Sequence, residues 1–385
     1  MEDRTRAYLR GRFGDHYRRA TVTPPPEANE REWGYVPWTE GPGDTYVRHN
    51  ALLDLGEPED FLARERPRHV YFSAGRYDDP GATTMSGKGW RRSDLIFDLD
   101  ADHLPSADPD DSYAEMLAKC KDALGRLLDF LERDFGFEEL TVVFSGGRGY
   151  HVHVRDEGIQ ELGSDARREV VDYVRGIGLD PDGLVRTEMR GGVTARTLKT
   201  AGGWGRRVHR RLLDFVDEVA AMDEEAALDR LQELDGVGEG RASTVYGAIQ
   251  ANPEAIREGN LEAGGPGIRT LVESLVGETV DVENAPIDEP VSTDTNRLIR
   301  LPGSIHGGSG LAVKRLDRDA LAEFDPLVDA VPETFRSHDI SVEVTEGGTV
   351  ELDGDSFTLP ERIHTVPESL GVFLMCRGRA EKARE

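Results

Sequence analysis

The amino-acid sequence predicts a mixed α/β fold, and three consecutive parts of the chain carry that prediction. Residues 93–100 form an apolar run that ends in alternation, which indicates a strand. Across residues 111–135 the apolar positions recur every three or four residues, as in an amphipathic helix. Two β-rich runs follow, at 140–144 and 150–154. This order of strand, helix and strands favours helices packed on a sheet.

The rest of the chain divides by composition. Short apolar runs broken by turn signals predict irregular structure with short strands near the N-terminus. Leu and Val at helical spacing predict a helical insertion at 208–280. Residues 316–370 hold 14 acidic and 3 basic residues, which indicates a small acidic C-terminal appendage at 326–385. The core is therefore expected to comprise residues 1–207 and 281–325.

Charge is the unusual feature of the composition. The 385 residues include 74 Asp and Glu against 47 Lys and Arg, a net charge of −27, and only six of the basic residues are Lys. Such a chain repels phosphate backbones, so composition by itself disfavours nucleic-acid chemistry. In about 1 M salt, however, the Debye length is only about 3 Å. An acidic, lysine-poor surface is therefore also expected of a protein from a salt-filled cytoplasm, such as that of a halophilic archaeon.

Cysteine content and hydropathy predict a cytoplasmic protein. Cys120 and Cys376 are the only cysteines, too few for a disulfide framework or a four-cysteine zinc site. No apolar run reaches the length of about 18 residues that a transmembrane helix needs. The N-terminus also lacks the apolar region of a signal peptide.

One basic segment opposes the overall charge. Residues 186–211 hold eight Arg or Lys and a single acid, Glu188, together with Gly191-Gly192 and Gly202-Gly203. Two interpretations stay open for this segment. It is either a phosphate-contact loop or a solvated loop whose arginines pair with nearby acids.

Three further segments carry residue types suited to phosphoryl transfer. Asp98 and Asp100 lie two apart on a predicted strand, so both carboxylates project from one face and suit Mg²⁺ or Mn²⁺. Alone, the pair is also compatible with an ordinary acidic strand end. The next segment, at 145–153, places glycines and Arg148 directly after a strand, where backbone N–H groups and a guanidinium can meet an anion.

The third segment surrounds a Pro-Gly turn. It supplies Asp288, Arg297, Arg300 and His306. Together the three segments hold carboxylates for metal and cations for polyphosphate, which is the equipment of two-metal phosphoryl transfer. No Gly-x-x-x-x-Gly-Lys-Ser/Thr motif occurs, so a P-loop enzyme is disfavoured.

In order and spacing these segments resemble the motifs of the catalytic small subunit of archaeal and eukaryotic DNA primase. The likeness covers roughly residues 1–325. The three matching motifs are Asp98-Leu-Asp100, Ser145-Gly-Gly-Arg148-Gly-Tyr-His151 and Arg300-Leu-Pro-Gly-Ser304-Ile-His306.

The resemblance implies primer synthesis on single-stranded DNA from nucleoside triphosphates. It implies that Asp98, Asp100 and Asp288 hold two Mg²⁺ or Mn²⁺ ions, with Asp294 as the alternative to Asp288. It also implies an α/β core with an RNA-recognition-motif-like half. The residues that it assigns to the incoming nucleotide are Ser145, Arg148, His151, Arg300 and His306, with Glu32, Tyr46 and Arg48 nearby.

The resemblance also bears on zinc and on a partner. Many members carry a cysteine-rich zinc knuckle after the first motif, whereas this chain has only Cys120 there, on the apolar side of a predicted helix. We therefore expect no structural zinc; His151 and His153 alone are too few ligands. The family implies a heterodimer with a primase large subunit, which would supply template affinity that an acidic chain lacks.

Two other functions share some of these features. A related primase-polymerase that acts in repair or gap filling has the same three motifs. A non-catalytic nucleic-acid-binding subunit, using an RNA-recognition-like sheet, would not need the carboxylates of Asp98 and Asp100.

Overall fold

The computed structural model describes residues 1–39, 45–108, 110–190, 193–263 and 265–384, with backbone alone for Arg190, Val193 and Thr194. Gly191-Gly192 of the basic segment lie outside the described residues. The helices are α1 (Asp3–Tyr17), α2 (Leu52–Leu55), α3 (Pro58–Glu65), α4 (Met85–Lys88), α5 (Tyr113–Asp129), α6 (Ser164–Arg175), α7 (Gly203–Ala221), α8 (Glu224–Gln232), α9 (Glu239–Ala251), α10 (Pro253–Arg257), α11 (Gly265–Glu283), α12 (Glu289–Thr293), α13 (Pro326–Asp329) and α14 (Glu368–Cys376).

The described strands alternate with these helices, which confirms the predicted mixed α/β class. They are β1 (Trp33–Val36), β2 (Val47–Asn50), β3 (His69–Ser73), β4 (Gly75–Tyr77), β5 (Trp90–Ser93), β6 (Leu95–Asp100), β7 (Leu140–Phe144), β8 (Gly149–Val154), β9 (Val185–Arg190), β10 (Val193–Leu198), β11 (Leu298–Arg300), β12 (Lys314–Leu316), β13 (Asp339–Val344), β14 (Gly348–Leu352), β15 (Asp355–Leu359), β16 (Ile363–Pro367) and β17 (Ala380–Lys382).

The chain forms two compact units. Unit 1 comprises residues 1–124, 138–168 and 286–385, and unit 2 comprises 125–137 and 169–285. Unit 2 contains the helices α7 to α11, as the predicted insertion does, and also the β9–β10 hairpin. None of the described helices has the length and apolar character needed to cross a bilayer.

Two four-stranded antiparallel sheets organise unit 1. Sheet 1 has the order β11-β3-β1-β2, and sheet 2 has the order β12-β7-β8-β6. The ring of Phe72 on β3 stacks on that of His153 on β8, with centroids 6.0 Å apart, so the sheets meet there. Ile96 on β6 and Ile299 on β11 join Ala74 and Val291 in one buried cluster. Strands from distant parts of the sequence therefore converge on one core.

A buried carboxylate fixes the start of β6. Asp94 is fully buried and lies 3.0 Å from a guanidinium nitrogen of each of Arg31, Arg76 and Arg155. Burial opposes its ionisation, but adjacent His153 and these three cations hold the pKa of Asp94 well below its usual range. Since Arg31 also donates to carbonyl oxygens at the end of β3, the carboxylate ties sheet 1 to sheet 2.

Two parts of unit 1 differ from the expectations for them. Helix α1 occupies a region expected to be irregular; its buried face is a narrow stripe that includes Leu9, Phe13 and Tyr17 at four-residue steps, set among arginines. Residues 326–385 group with unit 1, and all of α14 is buried. The fully buried carboxylate of Glu368 on α14 pairs at 2.6 Å with Arg12 on α1.

Replacing Asp94 by Asn should destabilise the protein by about 3–5 kcal/mol, because the buried guanidinium groups of Arg31 and Arg76 and the partly buried one of Arg155 would lose the charge that compensates them. Urea unfolding at constant molar salt measures this change. Asp122→Asn, at an exposed position on α5, is the matched control and should change stability by less than about 0.5 kcal/mol. Equal stability of the two variants would contradict this role for Asp94.

Candidate active site

Strand β6 carries two of the predicted site residues. Asp98 and Asp100 occupy alternate positions, so both side chains leave the same face of the strand. Their side chains are 21% and 41% exposed, whereas Phe97 and Leu99 between and beside them are buried in the core. The strand therefore holds two carboxylates on its accessible face, while its other face packs into the core.

Asp98 faces a cavity of about 510 Å³ between the two sheets of unit 1. Sheet 2 contributes Asp98 and His151, and sheet 1 contributes most of the other lining side chains. The lining residues are Tyr46, Arg48, Tyr71, Asp98, His151, Asp294, Asn296, Arg297, Leu298, Ile299 and Arg300.

The electrostatics of Asp98 indicate a site that favours a cation. Burial and the neighbouring charge of Asp100 raise the pKa of Asp98 to about 6, against the opposing effect of Arg300. A divalent cation between the carboxylates would remove the repulsion that raises this pKa. The donor set of carboxylate oxygens therefore fits the hard ions expected from the sequence.

His151 is the cross-strand partner of Asp98. Its Nε2 lies 3.3 Å from a carboxylate oxygen of Asp98. Burial, followed by the charges of Arg300 and Arg297, lowers the pKa of His151 to about 3. The imidazole is therefore neutral at physiological pH and can donate one hydrogen bond.

The glycine-rich loop between β7 and β8 packs against His306. Gly146 has a φ of 76°, and a Cβ on it would lie 2.7 Å from the Cβ of His306. The buried hydroxyl of Ser145 accepts a hydrogen bond from Gly147 N–H at 3.2 Å, and the Tyr113 hydroxyl donates to the Gly147 carbonyl at 2.6 Å. Glycine is needed here because the second and third motifs touch.

Hydrogen bonding also sets the tautomer of His306. Gly308 N–H donates to its Nδ1 at 3.2 Å, so the neutral ring carries its proton on Nε2. Burial and Arg300 hold the pKa of His306 well below its usual range. The ring thus presents a fixed N–H donor beside Gly147, at the glycine-rich loop.

The two predicted phosphate-binding arginines differ in their partners. Arg148 pairs with Asp102 and lies 4.0 Å from Asp100, with its side chain 41% exposed. Arg300 lies over the ring of Tyr71, 5.6 Å from its centroid, and its buried Nε has no hydrogen-bond partner within the described residues. Arg300 therefore keeps spare hydrogen-bonding capacity at the cavity.

Both candidates for a third carboxylate lie near Asp98. The N–H of Asp288, just before α12, donates to the Asp98 carbonyl at 3.0 Å. Asp294, just after α12, lines the same cavity as Asp98. Among the described residues no group of three or more His, Cys, Asp or Glu is already arranged to hold a metal ion.

The N-terminal segment adds residues to the cavity. Arg48 is held by two hydrogen bonds to the fully buried carboxylate of Glu32, at 3.1 and 3.3 Å. The ring of Tyr46 packs against that of Tyr71 with centroids 5.9 Å apart and an interplanar angle of 39°. No sequence pattern singled out Tyr71, because an aromatic residue in a buried strand is typical of a core position. The pairing of β3 with β11 places Tyr71 beside Arg300.

In the basic segment 186–211 the arginines pair with acids, as the second interpretation expects, but the segment is not a solvated loop: it includes most of the β9–β10 hairpin and the start of α7. Six of its arginines lie within 4 Å of acidic side chains, and Lys199 donates to the carbonyl of Gly183. Arg207, for example, is 1% exposed, bridges Asp129 and Asp134, and lies over the ring of Phe130. The paired arginines are Arg186, Arg196, Arg206, Arg207, Arg210 and Arg211.

Cys120 is a core residue, as its place on the apolar side of the helix predicts. It is fully buried on α5, with Sγ 3.7 Å from the carbonyl oxygen of Leu99. His153 lies against Asp94, with Nδ1 3.9 Å from the carboxylate. Cys120 therefore contacts the end of strand β6, and His153 contacts the residue that precedes its start.

Comparison with known proteins gives a family model and relatives that all carry the same description. Residues 97–318 match the family model of the DNA primase small subunit. The chain is 68% identical to the DNA primase small subunit of Haloarcula marismortui and 62% identical to that of Halorubrum lacusprofundi, over the full length of both chains in each case. It is 41% identical to the small subunit of Methanothrix thermoacetophila over 99% of this chain and 100% of the relative.

Replacing Gly146 by Ala should weaken nucleoside triphosphate binding by tenfold or more, because the added Cβ would displace His306 and strain a left-handed backbone. Calorimetric titration with a nucleotide and Mn²⁺ measures this affinity. Gly125→Ala is the control, since a Cβ at this helical position meets nothing within 4 Å. It should bind normally, and equal affinities would show that the loop does not depend on glycine.

Proposed function

The chain belongs to the DNA primase small subunit family, and we propose that it joins nucleoside triphosphates into primers on single-stranded DNA by nucleotidyl transfer. The observation that carries this proposal is the cavity beside β6. There the carboxylate of Asp98 shares the cavity lining with the partly unsatisfied guanidinium of Arg300. Asp100 follows two residues later on the same face of β6. Such pairing of metal-binding acids with phosphate-binding cations suits an in-line displacement at a triphosphate.

Asp98 and Asp100 would hold two Mg²⁺ or Mn²⁺ ions together with a third carboxylate. Such ions, when bound, activate a hydroxyl nucleophile and neutralise charge on a triphosphate. The raised pKa of Asp98 supports this assignment, since burial beside Asp100 leaves the metal-free pair strained by like charge. The family resemblance favours Asp288 as the third ligand. Asp294, which lines the cavity, is the alternative.

The nucleotide's phosphates would be held by Arg300, Arg148 and the neutral donor His306. The one N–H of neutral His151 would reach a phosphate oxygen only when a cation, rather than this N–H, occupies the facing oxygen of Asp98. The Nε of Arg300 would give up no hydrogen bond to a phosphate, because it lacks a partner within the described residues. Arg148 would leave its ion pair with Asp102 and bind a phosphate oxygen instead. Its partly exposed side chain is free to make this change of partner. Ser145 shapes the glycine-rich loop on which this contact depends.

We find no need for a dedicated protein base at this site. His151 is neutral and directed at Asp98, and His306 is neutral and donates through Nε2. These rings therefore act by orienting and donating rather than by removing a proton. Positioning and charge stabilisation would provide the rate, as in other phosphoryl transfers.

A primase large subunit is the proposed partner, in a heterodimer. The pairing of the basic segment 186–211 with acids supports this, since the paired arginines of that segment offer a template little free positive charge. Primer synthesis for replication takes place where the chromosome lies, so we assign the protein to the cytoplasm. Full-length similarity to primase small subunits favours neither a repair polymerase nor a non-catalytic binding subunit.

Replacing Asp100 by Ala should abolish primer synthesis, with a loss of at least a thousandfold expected from removing a metal ligand. The assay is incorporation of labelled nucleotides on single-stranded DNA, with the large subunit and Mg²⁺ or Mn²⁺, in molar salt. Asp122→Ala, at an exposed position on α5, should be fully active. Products made equally by Asp100→Ala and wild type would reject the proposed site.

The same assay decides between the two third-ligand candidates. Asp288→Ala should be as inactive as Asp100→Ala, whereas Asp294→Ala should keep measurable activity with a weaker apparent nucleotide affinity. The reverse pattern would give the metal to Asp294. Initiation on a template without any primer end separates a primase from a gap-filling polymerase, and we expect such initiation.

A further inference from the structure

Aromatic exposure singles out one part of the surface. Of the aromatic residues, all of which lie within the described part of the chain, only Tyr46 and Trp90 are exposed, at 55% and 39%. Tyr46 already belongs to the cavity that holds Asp98. The other exposed large apolar side chains in the described residues are aliphatic or Met. Trp90 is therefore the one exposed aromatic ring without an assigned role.

Trp90 is fastened to the rim of the same cavity. Its Nε1 donates to the hydroxyl of Ser93 at 2.6 Å, and that hydroxyl donates to the carbonyl of Thr295 at 2.6 Å. Thr295 lies between Asp294 and Asn296, which both line the cavity. Because the indole is held through its N–H edge, its orientation is fixed while part of the ring remains open to solvent.

The charges around Trp90 are largely compensated. Arg91 pairs with Glu30 at 3.0 Å, and Arg92 pairs with Glu27. By contrast, exposed Arg297, two residues after Thr295, lines the cavity and has no ion pair with an acid among the described residues. The rim thus offers an aromatic ring and one free guanidinium group, not a broad basic patch.

We propose that Trp90 stacks on a base of the single-stranded template where that strand leaves the cavity, with Arg297 contacting its backbone. This inference rests on the proposed function, because a templating base must enter the cavity beside the incoming nucleotide. The neighbouring template nucleotides must then pass over the cavity rim. Stacking suits a chain of net charge −27, since base–aromatic contacts do not depend on net positive charge.

A nucleic acid fits this surface better than a protein partner does. A protein interface would be expected to extend over a wider apolar patch, whereas Trp90 is one ring flanked by compensated arginines. Proteins that bind single-stranded nucleic acid combine aromatic rings with nearby cations. The indole of Trp90, fixed by its N–H bond, and Arg297 on the same rim match this combination. Docking of the large subunit on Trp90 is an outcome that the experiment separates.

The test compares wild type with Trp90→Ala and Trp90→Phe in molar salt. The probes are a fluorescent oligodeoxynucleotide and the same oligonucleotide with abasic sites, titrated into the full chain and into the heterodimer. Trp90→Ala should bind the intact strand roughly 5- to 100-fold more weakly and the abasic strand as wild type does. Trp90→Phe loses the N–H bond to Ser93 but keeps an aromatic ring. Its affinity for the intact strand should therefore stay close to that of wild type.

Controls separate stacking from other causes. Ile363→Ala, an exposed apolar residue on β16, should bind both strands normally, and every variant should bind nucleotide normally. If Trp90→Ala and Trp90→Phe weaken binding of the intact strand equally, then Trp90 acts through its structural hydrogen bond to Ser93 rather than by stacking, and the proposal is overturned. Loss of heterodimer formation with unchanged DNA affinity would assign the ring to the large subunit and also overturn it.

Two further outcomes distinguish this inference from the proposed function. If Trp90→Ala binds the intact strand as tightly as wild type while both make primers, the stacking contact is wrong and primer synthesis stands. If wild type, with the large subunit, neither binds the strand nor makes primers, the proposed function itself fails.

Discussion

The active-site strand depends on one buried ionic interaction, the contact of Asp94 with Arg31, Arg76 and Arg155. Asp94 lies directly before β6 and fixes where that strand begins. Four residues further on, the strand delivers Asp98 to the cavity. Because Arg31 also bonds carbonyl oxygens at the end of β3, this cluster links sheet 1, which carries Arg300, to sheet 2, which carries Asp98.

The net charge of −27 has several separate physical parts. Some acids neutralise buried or half-buried arginines, as Asp94, Glu368 and the partners of segment 186–211 do. Asp98 and Asp100 instead lie together at the end of an accessible strand face, where burial and the like charge of Asp100 raise the pKa of Asp98. The relatives in Haloarcula and Halorubrum agree with the interpretation that the remaining surface acidity is an adaptation to salt. In such a setting, metal coordination and stacking are the contacts that screening weakens least.

Sequence patterns predicted the elements whose periodicity is strong. The strand before Asp98, the helix at α5 and the two strands of the β7–β8 hairpin lie within a few residues of where they were expected. Helix α1 was missed because a narrow stripe among arginines gives little amphipathic signal. The contacts of Tyr71 with Arg300 and of Gly146 with His306 join segments far apart in sequence, so no local pattern could reveal them. The three motifs, by contrast, each include a residue of the same cavity, namely Asp98, His151 and Arg300, whereas Asp100, Ser145, Arg148 and His306 are not among its lining residues.

The central claim is that the carboxylates on β6 and the cations around them hold a metal–nucleotide complex. Anomalous diffraction from crystals soaked with Mn²⁺ and a nucleoside triphosphate tests it most directly. We expect manganese peaks within coordination distance of Asp98 and Asp100, about 2.0–2.3 Å by analogy with Mg²⁺ and Ca²⁺ sites, and a triphosphate that contacts Arg148 and Arg300. Manganese bound elsewhere, or a triphosphate that avoids both arginines, would contradict the account.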